Sequence, residues 1–172
     1  MYLLNCFFIY SILGFILEGT FNLITKNNFS SGILYGPWTP VYGIGAILTI
    51  IISNKIFKNM HKNRKIETVV TFIILSIVLT LIEWIGGILI EKLFNETMWN
   101  YQNYKFNIGK YISLEMALIW GIISIFTIYF IKPVIDKLET KIPKYITIIL
   151  TILFIIDLII MLFIKLKESV FI

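Results

Sequence analysis

The sequence predicts an all-α protein, a polytopic integral membrane helix bundle with about five transmembrane helices. Of its 172 residues, 58% are hydrophobic, whereas soluble domains contain about 45–50% apolar residues even when glycine is counted. The mean hydropathy is +0.88. Because this length leaves no room for a separate soluble domain, residues 1–172 are assigned to a single transmembrane domain. The many Ile, Lys and Asn residues are typical of an AT-rich bacterial genome, so we expect a bacterial cell membrane.

The apolar segments can be justified in chain order, since a helix needs about 20 mainly apolar residues to cross the hydrocarbon core. The first segment runs past the lone Cys6 without a charged leader, so it is expected to be a retained helix. The second is the shortest, and its start, "YGPWTPVYGIG", predicts entry into the membrane through an irregular turn. Non-helical backbone at that depth must be buried in protein or line a wet cavity. The third, fourth and fifth segments are longer, and the five predicted helices cover residues 3–24, 40–56, 68–93, 113–131 and 145–164.

Charge in the connections predicts the orientation. With five spans, the loops after the second and fourth helices carry nine Lys and Arg residues, against six in the alternate compartment. The positive-inside rule therefore puts the amino terminus in the cytoplasm. Basic residues in short loops suit anionic lipid headgroups of the bilayer better than nucleic acid. His61 lies among lysines and is expected to be solvated, and the single cysteine excludes an intrachain disulfide.

Acidic residues occur within or at the edges of the spans, although a charged side chain at the bilayer centre costs at least about 3 kcal/mol on insertion scales. Their positions in helices of alternating direction place all of them in the same half of the membrane, the outer half in the preferred orientation. A functional polar site is one interpretation, and buried hydrogen bonding that only holds the helices together is the other. The five acids are Glu18, Glu83, Glu91, Glu115 and Asp157, of which the first four are the candidate substrate- or ion-binding residues.

Helical spacing suggests which faces carry these acids. Glu83, Gly86, Gly87 and Glu91 share one stripe, and the first helix carries another formed by Ser11, Gly14, Glu18 and Asn22. Small residues permit close helix approach in membranes. We therefore expect the first and third helices to pack through these glycines. Glu18 and Glu83 would then face each other or a shared cavity, and would share protons or bind a cation.

Two unusual loops lie on the acidic side. One contains Gly36, Pro37, Pro40 and Tyr42, and the other contains Trp99, Asn100, Tyr101 and Asn107. An interfacial aromatic belt would explain the rings of Trp99 and Tyr101. Alternatively, both loops cap the acidic site, with Asn100, Asn107 and the backbone around Gly36 adding oxygen or amide contacts.

An ordered set of motifs resembles the bacterial ABC-transporter permease family of the CmpB type. The motifs are "YSILGFILEG", "GILYGPWTPVYGIGA", "IEWIGGILIEKLF" and "WNYQNYKFNIGKYISLEMALIWG", followed by "IKPVI". Phe15, Asn100, Gln102 and Ser113 stand where the family usually has Trp, Asp, Ser and Cys, which removes the loop's carboxylate and thiol. The resemblance carries over to Tyr10, Ser11, Gly14, Glu18, Gly36, Pro37, Pro40, Tyr42, Gly43, Glu83, Gly87, Glu91, Trp99, Tyr101, Asn107, Gly109, Trp120 and Gly121.

Three functions are consistent with these observations. The first, which the resemblance implies, is a transporter or permease subunit whose acidic pocket binds a proton, a hard cation or a cationic solute. Because the sequence has no phosphate-binding loop, any ATP hydrolysis would need a separate ATPase subunit, and a homodimer would enlarge the pathway. The second is a membrane enzyme acting on a lipid or lipid-linked substrate, which is less expected because no catalytic motif is recognisable. The third is a non-transporting accessory or sensor subunit. No cofactor is evident beyond a proton or hard cation, and no metal is specified.

Overall fold

A computed structural model of the chain describes residues 1–59 and 63–170. Five helical segments are long and apolar enough to cross a membrane, which confirms the predicted fold class. His61, which the sequence places among lysines, lies outside the described residues, as does Lys62, one of the nine basic residues counted in the loops. The five segments are Tyr2–Lys26, Pro40–Lys58, Arg64–Phe94, Leu114–Glu139 and Lys144–Lys165.

Helix α1 spans Tyr2–Lys26 and α2 spans Pro40–Asn59. Asn27 ends α1 with a left-handed backbone (φ 55°), a conformation that Asn tolerates better than most residues. Pro40 is the first residue of α2, where its missing N–H costs no hydrogen bond. Residues 27–39 are non-helical, as the irregular entry predicted for this segment requires.

Helix α3 spans Arg64–Phe94 and begins four residues earlier than the sequence predicted. The side chain of Asn63 caps it by accepting a hydrogen bond from the Lys65 backbone N–H at 3.0 Å. This cap satisfies one of the free donors in the first turn. Asn95, again left-handed at φ 54°, ends the helix.

A two-stranded antiparallel hairpin follows, with β1 at Asn107–Ile108 and β2 at Ile112–Ser113. The left-handed Gly109 (φ 67°) makes its turn. Ser113 then caps the next helix, since its hydroxyl accepts from the Met116 N–H at 3.1 Å. The hairpin therefore leads directly into the fourth span.

The fourth span is longer than predicted. Helix α4 spans Leu114–Phe126, a π-helical turn covers Thr127–Ile131, and α5 continues over Lys132–Glu139. The prediction that the helix ends at residue 131 is therefore wrong, because the basic segment after it forms an amphipathic helix that buries Ile135. Helix α6 spans Lys144–Val170.

The chain divides into two compact units. The terminal unit comprises Met1–Ile47 and Ile135–Ile172, and the central unit comprises Leu48–Val134. One boundary falls inside α2 and the other inside α5. The assignment of the whole chain to one transmembrane domain stays a prediction.

The terminal unit is built around aromatic rings. Phe154 of α6 packs edge-on against Phe7 and Phe8 of α1, with ring centroids 5.3 and 6.0 Å apart. It also packs against Trp38 at 5.7 Å. Such edge-to-face pairs stabilise a core beyond their buried area. They join α1, α6 and the loop before α2.

The central unit places polar residues inside and large aliphatic residues outside. Thr71, Ser76 and Glu83 of α3 are buried, whereas Ile77 and Ile122 are more than half exposed. This is the pattern expected where the surroundings are hydrocarbon and helices pack through small and polar groups. Gly121 of α4 illustrates it, because a side chain there would collide with Ser76 and Phe72.

Candidate functional site

The central unit holds a buried carboxylate, Glu83, which is only 6% exposed. The Tyr101 hydroxyl donates to its Oε1 at 2.5 Å. The indole Nε1 of Trp120 donates to its Oε2 at 2.8 Å. Each carboxylate oxygen thus has a donor, which offsets part of the cost of removing the group from water. Both donors lie outside α3, so Glu83 ties the loop and α4 to this helix.

Tyr101 is held in place by its own loop. Its backbone N–H donates to the Lys110 carbonyl at 2.8 Å, and the Tyr104 N–H donates to the Tyr101 carbonyl at 2.9 Å. The rings of Tyr101 and Tyr104 also pack edge-on at 5.3 Å. The loop that leads into the β1–β2 hairpin therefore holds Tyr101 against Glu83 through these contacts.

Trp120 reaches Glu83 because α4 lies close to α3. The neighbouring Gly121 leaves no space for a Cβ against Ser76 and Phe72, so the two backbones approach closely at this point. The Ser124 hydroxyl donates back to the Trp120 carbonyl at 2.8 Å. The indole is thereby carried on a helix that is fixed against α3.

One helical turn further along the same stripe, Gly87 makes room for Tyr111, whose ring would collide with any Cβ there. The Tyr111 hydroxyl donates to Glu91 Oε2 at 2.7 Å, and Lys110 forms an ion pair with the other oxygen of Glu91. Hydrogen bonding to Glu91 raises the pKa of Lys110 above its usual value. Glu91, which is half-buried, is thus paired with a cation from the hairpin.

The rings of Trp99, Tyr101 and Tyr111 form a cap over the α3 stripe. Trp99 packs against Tyr111 with ring centroids 6.1 Å apart, and a Cβ added to Gly86 would reach ordinary contact with the Trp99 ring. Of the two sequence-based interpretations, these contacts favour a cap over an interfacial belt for Tyr101. The cap residues and the acids they cover all belong to the central unit.

Three buried polar atoms near this site make no hydrogen bond within the described residues. They are the hydroxyls of Ser76 and Thr80 and the indole Nε1 of Trp99. Ser76, Thr80, Glu83 and Gly87 follow one face of α3 at spacings of four, three and four residues. A polar stripe therefore leads from the middle of the span to Glu83.

Glu115 occupies the first turn of α4. Its Oε1 accepts a hydrogen bond from the Phe106 N–H at 3.2 Å, while Oε2 is buried and has no partner among the described residues.

The loop residues Asn100 and Asn107 form side-chain hydrogen bonds within their own loop. The Asn100 side chain accepts from the Gln102 N–H at 2.9 Å, and the Asn107 amide donates to the Gly109 carbonyl at 3.2 Å.

The terminal unit contains a second buried carboxylate, Asp157 of α6, which is 7% exposed. The backbone N–H groups of Tyr35 and Gly36 donate to it at 3.1 and 2.9 Å, and Trp38 Nε1 donates at 2.6 Å. We call Asp157 with Tyr35, Gly36 and Trp38 the Asp157 clasp. It joins the loop before α2 to α6.

Sequence reasoning noted Asp157 but did not include it among the candidate site residues. Its signal was its position within the most apolar span, Lys144–Lys165, which contains an 18-residue stretch with a mean hydropathy of 3.0. A carboxylate there requires several donors, and the glycine- and tryptophan-containing loop supplies them. The predicted contribution of the Gly36 backbone is therefore an amide contact, made to Asp157.

The other predicted site residues of the terminal unit lie where α1 packs against the start of α2 and the loop before it. Gly14 makes room for the ring of Tyr42, and Gly43 lies against Ser11 and Phe7. The Ser11 carbonyl accepts from the Thr39 N–H at 3.0 Å. Pro37 is exposed in the loop and Pro40 opens α2.

The packing of α1 on α3 through Gly14 and Gly86 or Gly87 stays a prediction. Two of these glycines, Gly14 and Gly87, lie beside large side chains. Each makes room for an aromatic ring of its own unit, Tyr42 and Tyr111, respectively. Glu18 is half-exposed late in α1. Its pairing with Glu83 stays a prediction.

Within residues 1–59 and 63–170, no group of three or more His, Cys, Asp or Glu side chains is placed to hold a metal ion. What the Glu83 site can do is exchange a proton, or accept a cation if the Tyr101 hydroxyl moves aside. The carboxylate is suited to either task, whereas the indole N–H of Trp120 can only donate.

Five apolar spans with polar groups turned inward define a multi-pass membrane protein. Residues 5–162 match the protein family described as "Putative ABC-transporter type IV", of the CmpB type. Since the match covers most of the chain, the protein belongs to this family, as its motifs indicated. The chain matches no curated protein and no solved structure.

Proposed function

We propose that the protein is the membrane subunit of a transporter and that Glu83 is its proton- or cation-binding group. The observation that carries the proposal is a glutamate buried inside a span with a donor on each oxygen. Intramembrane acids mark ion or proton pathways by default. Membership of an ABC-transporter family supports the same conclusion.

The stripe along α3 supports a pathway to Glu83. Ser76 and Thr80 carry buried hydroxyls that make no hydrogen bond among the described residues. Ser76 lies about 10 Å along the helix axis from Glu83, at 1.5 Å per residue. In this proposal a proton or hard cation passes along these oxygens and is held at Glu83, while Tyr101 closes the other side.

The energy would come from a separate ATPase, because the sequence contains no phosphate-binding loop. The nine basic residues assigned to the loops after the second and fourth predicted helices would face it in the cytoplasm. We also propose a bacterial cell membrane, a cytoplasmic amino terminus and a homodimeric transport unit. A tagged chain, purified from its source membrane in mild detergent, should retain an ATPase in stoichiometric amount.

The transport test compares Glu83→Gln with Glu67→Gln, a control acid in the first turn of the same helix. Each variant is purified with its partners and reconstituted into vesicles with ATP and an entrapped pH indicator, which reports proton flux. In a separate measurement, Mg²⁺, Ca²⁺ or Mn²⁺ is added to the purified variant, and the change in its thermal stability is recorded. We expect Glu83→Gln to abolish both proton flux and cation stabilisation, and Glu67→Gln to retain both.

Two results would overturn the proposal. The first is intact transport in the Glu83→Gln variant. The second is a purified complex that neither moves protons nor is stabilised by any of the three cations. The latter would favour the accessory function, to which one observation already points: both oxygens of Glu83 are engaged within the chain.

A further inference from the structure

The central unit contains an apolar groove between α3 and α4. Its volume is about 320 Å³, and it is lined by Thr68, Val69, Phe72, Ile122 and Ile125. This volume is at the lower end of the range for ligand pockets, about 300–1,000 Å³. The groove is half open, and its rim residues Val69 and Ile122 are more than half exposed.

The only polar side chain of the lining is already satisfied. The Thr68 hydroxyl donates to the Arg64 carbonyl at 2.8 Å and is 2.7 Å from the Tyr129 hydroxyl. Since threonine has one hydroxyl proton, the Tyr129 hydroxyl is the donor to Thr68. The groove therefore offers a ligand hydrocarbon contacts alone.

The basic side chains of Arg64 and Lys65 lie at one end of this groove. Lys65 precedes Val69 by four residues and Phe72 by seven, which places it on the same face of α3. The Arg64 guanidinium lies over the Tyr129 ring, 5.6 Å from its centroid, an attractive cation–π arrangement. Within residues 1–59 and 63–170, neither cation forms an ion pair with a carboxylate.

The depth of these groups matches one kind of molecule. Arg64 is the first residue of the third span, so both cations lie at headgroup level. Thr68 and Phe72 lie about 6 and 12 Å further along the helix, at 1.5 Å per residue. Positive charge at the membrane surface above an apolar groove complements a phosphate followed by an acyl chain.

We propose that this groove is a binding site for an anionic phospholipid, with the phosphate at Arg64 and Lys65 and one acyl chain along Val69, Phe72 and Ile122. The site lies apart from Glu83 and does not depend on the transport proposal. The proposed occupant is a bilayer lipid and not a free phosphate or a second copy of the chain.

The test is native mass spectrometry of the full chain titrated with dioleoyl-phosphatidylglycerol or dioleoyl-phosphatidylcholine. A Lys or Arg near the surface contributes about 1 kcal/mol to anionic-lipid attraction. The double variant Arg64→Gln/Lys65→Gln should therefore bind the first phosphatidylglycerol about 25-fold more weakly. Its binding of phosphatidylcholine should not change. Lys137→Gln/Lys141→Gln, which also removes two exposed cations, should bind phosphatidylglycerol as the unaltered chain does.

A second pair of variants tests the groove independently of charge. Val69→Phe/Ile122→Phe fills it and should remove the first lipid adduct, whereas Ile77→Phe, exposed elsewhere on α3, should keep it. Four results would overturn the proposal. Two concern affinity: equal affinity of the unaltered chain for both lipids, and an equal loss of phosphatidylglycerol affinity in the Lys137→Gln/Lys141→Gln control. The other two are competition of inorganic phosphate with phosphatidylglycerol, and a Val69→Phe/Ile122→Phe variant that loses a dimer instead of the lipid adduct.

Discussion

At the scale of single residues, the carboxylates within the spans are stabilised in different ways. Glu83 receives two donors from side chains, and Asp157 receives two from backbone amides and one from an indole. Glu91 instead meets a lysine. Hydrogen bonds to charged groups contribute about 1.5–3 kcal/mol each, and an unsatisfied buried partner costs a similar amount. The identity of each donor therefore matters to stability.

Tyr101→Phe tests the donor to Glu83. It keeps the ring but removes the hydroxyl, so one carboxylate oxygen loses its partner, and the free energy of unfolding should fall by about 1–3 kcal/mol. Denaturant titration of the purified chain measures this change. Tyr104→Phe is the control, since Tyr104 is exposed and packs on Tyr101 through its ring. Equal losses in the two variants would contradict the assigned role of the Tyr101 hydroxyl.

The ion pair of Lys110 with Glu91 predicts a pH dependence. Hydrogen bonding to Glu91 raises the pKa of Lys110 above its usual 10.5. A lysine whose pKa is higher in the folded state stabilises the protein below its unfolded pKa, and this contribution is lost as the pH rises through the folded value. The Tm difference between the unaltered chain and Lys110→Gln should therefore stay constant from neutral pH up to about pH 10 and shrink above it.

Lys105→Gln is the control for this titration. Lys105 is exposed on the same loop and lies over the ring of Phe106 at 5.5 Å. Its removal should change Tm little at any of these pH values. A Tm difference for Lys110→Gln that grows above pH 10 would reverse the assigned sign.

At the scale of elements, α3 organises the central unit because one of its faces combines acids with glycines. The two adjacent glycines of this helix have different tasks. A Cβ on Gly87 would collide with the Tyr111 ring, whereas one on Gly86 would only reach ordinary contact with Trp99 at 3.8 Å. Of the two glycines, only Gly87 is therefore required for packing.

A matched pair of substitutions follows from this difference. Gly86→Ala should be neutral or stabilise α3 by up to about 1 kcal/mol, since alanine is the better helix former. Gly87→Ala should destabilise by about 1–3 kcal/mol, because it overpacks a filled site. Thermal unfolding of the two purified variants would compare them. If Gly87→Ala is as stable as Gly86→Ala, the tight contact with Tyr111 is not real.

The elements also show how far a sequence can be interpreted. The five spans were predictable because apolar windows of this length have few alternatives. Helix α5 was missed because its many charges exclude it from an apolar window, although Val134, Ile135 and Leu138 have helical spacing. Glu83 was identifiable from its position. Its partners were not, because Tyr101 and Trp120 are 18 and 37 residues away and depend on how the hairpin folds.

At the scale of the whole molecule, the unequal charge of the connections should determine insertion. In a Cys6→Ser background the chain has no other cysteine, so single cysteines can report sidedness. Cysteines replacing Lys58 and Lys137 should react with an impermeant maleimide only after cell lysis. Those replacing Lys26 and Asn103 should react in intact cells.

All four positions are exposed, so a permeant maleimide should label each of them. That labelling is the control for accessibility. Impermeant labelling of Lys58→Cys and Lys137→Cys in intact cells would reverse the orientation. A mixture within either pair would contradict the alternation of the five spans.

The Asp157 clasp has a consequence for biosynthesis. Its loop donors and its carboxylate are 119–122 residues apart, and the central unit lies between them in the chain. The ribosome therefore completes residues 48–134 before it supplies α6. The terminal unit can close only when the last span enters the membrane, so a nascent chain truncated before Asp157 would leave the amides of Tyr35 and Gly36 without that acceptor. An interrupted chain therefore differs from a finished one in a loop that is not docked on α6.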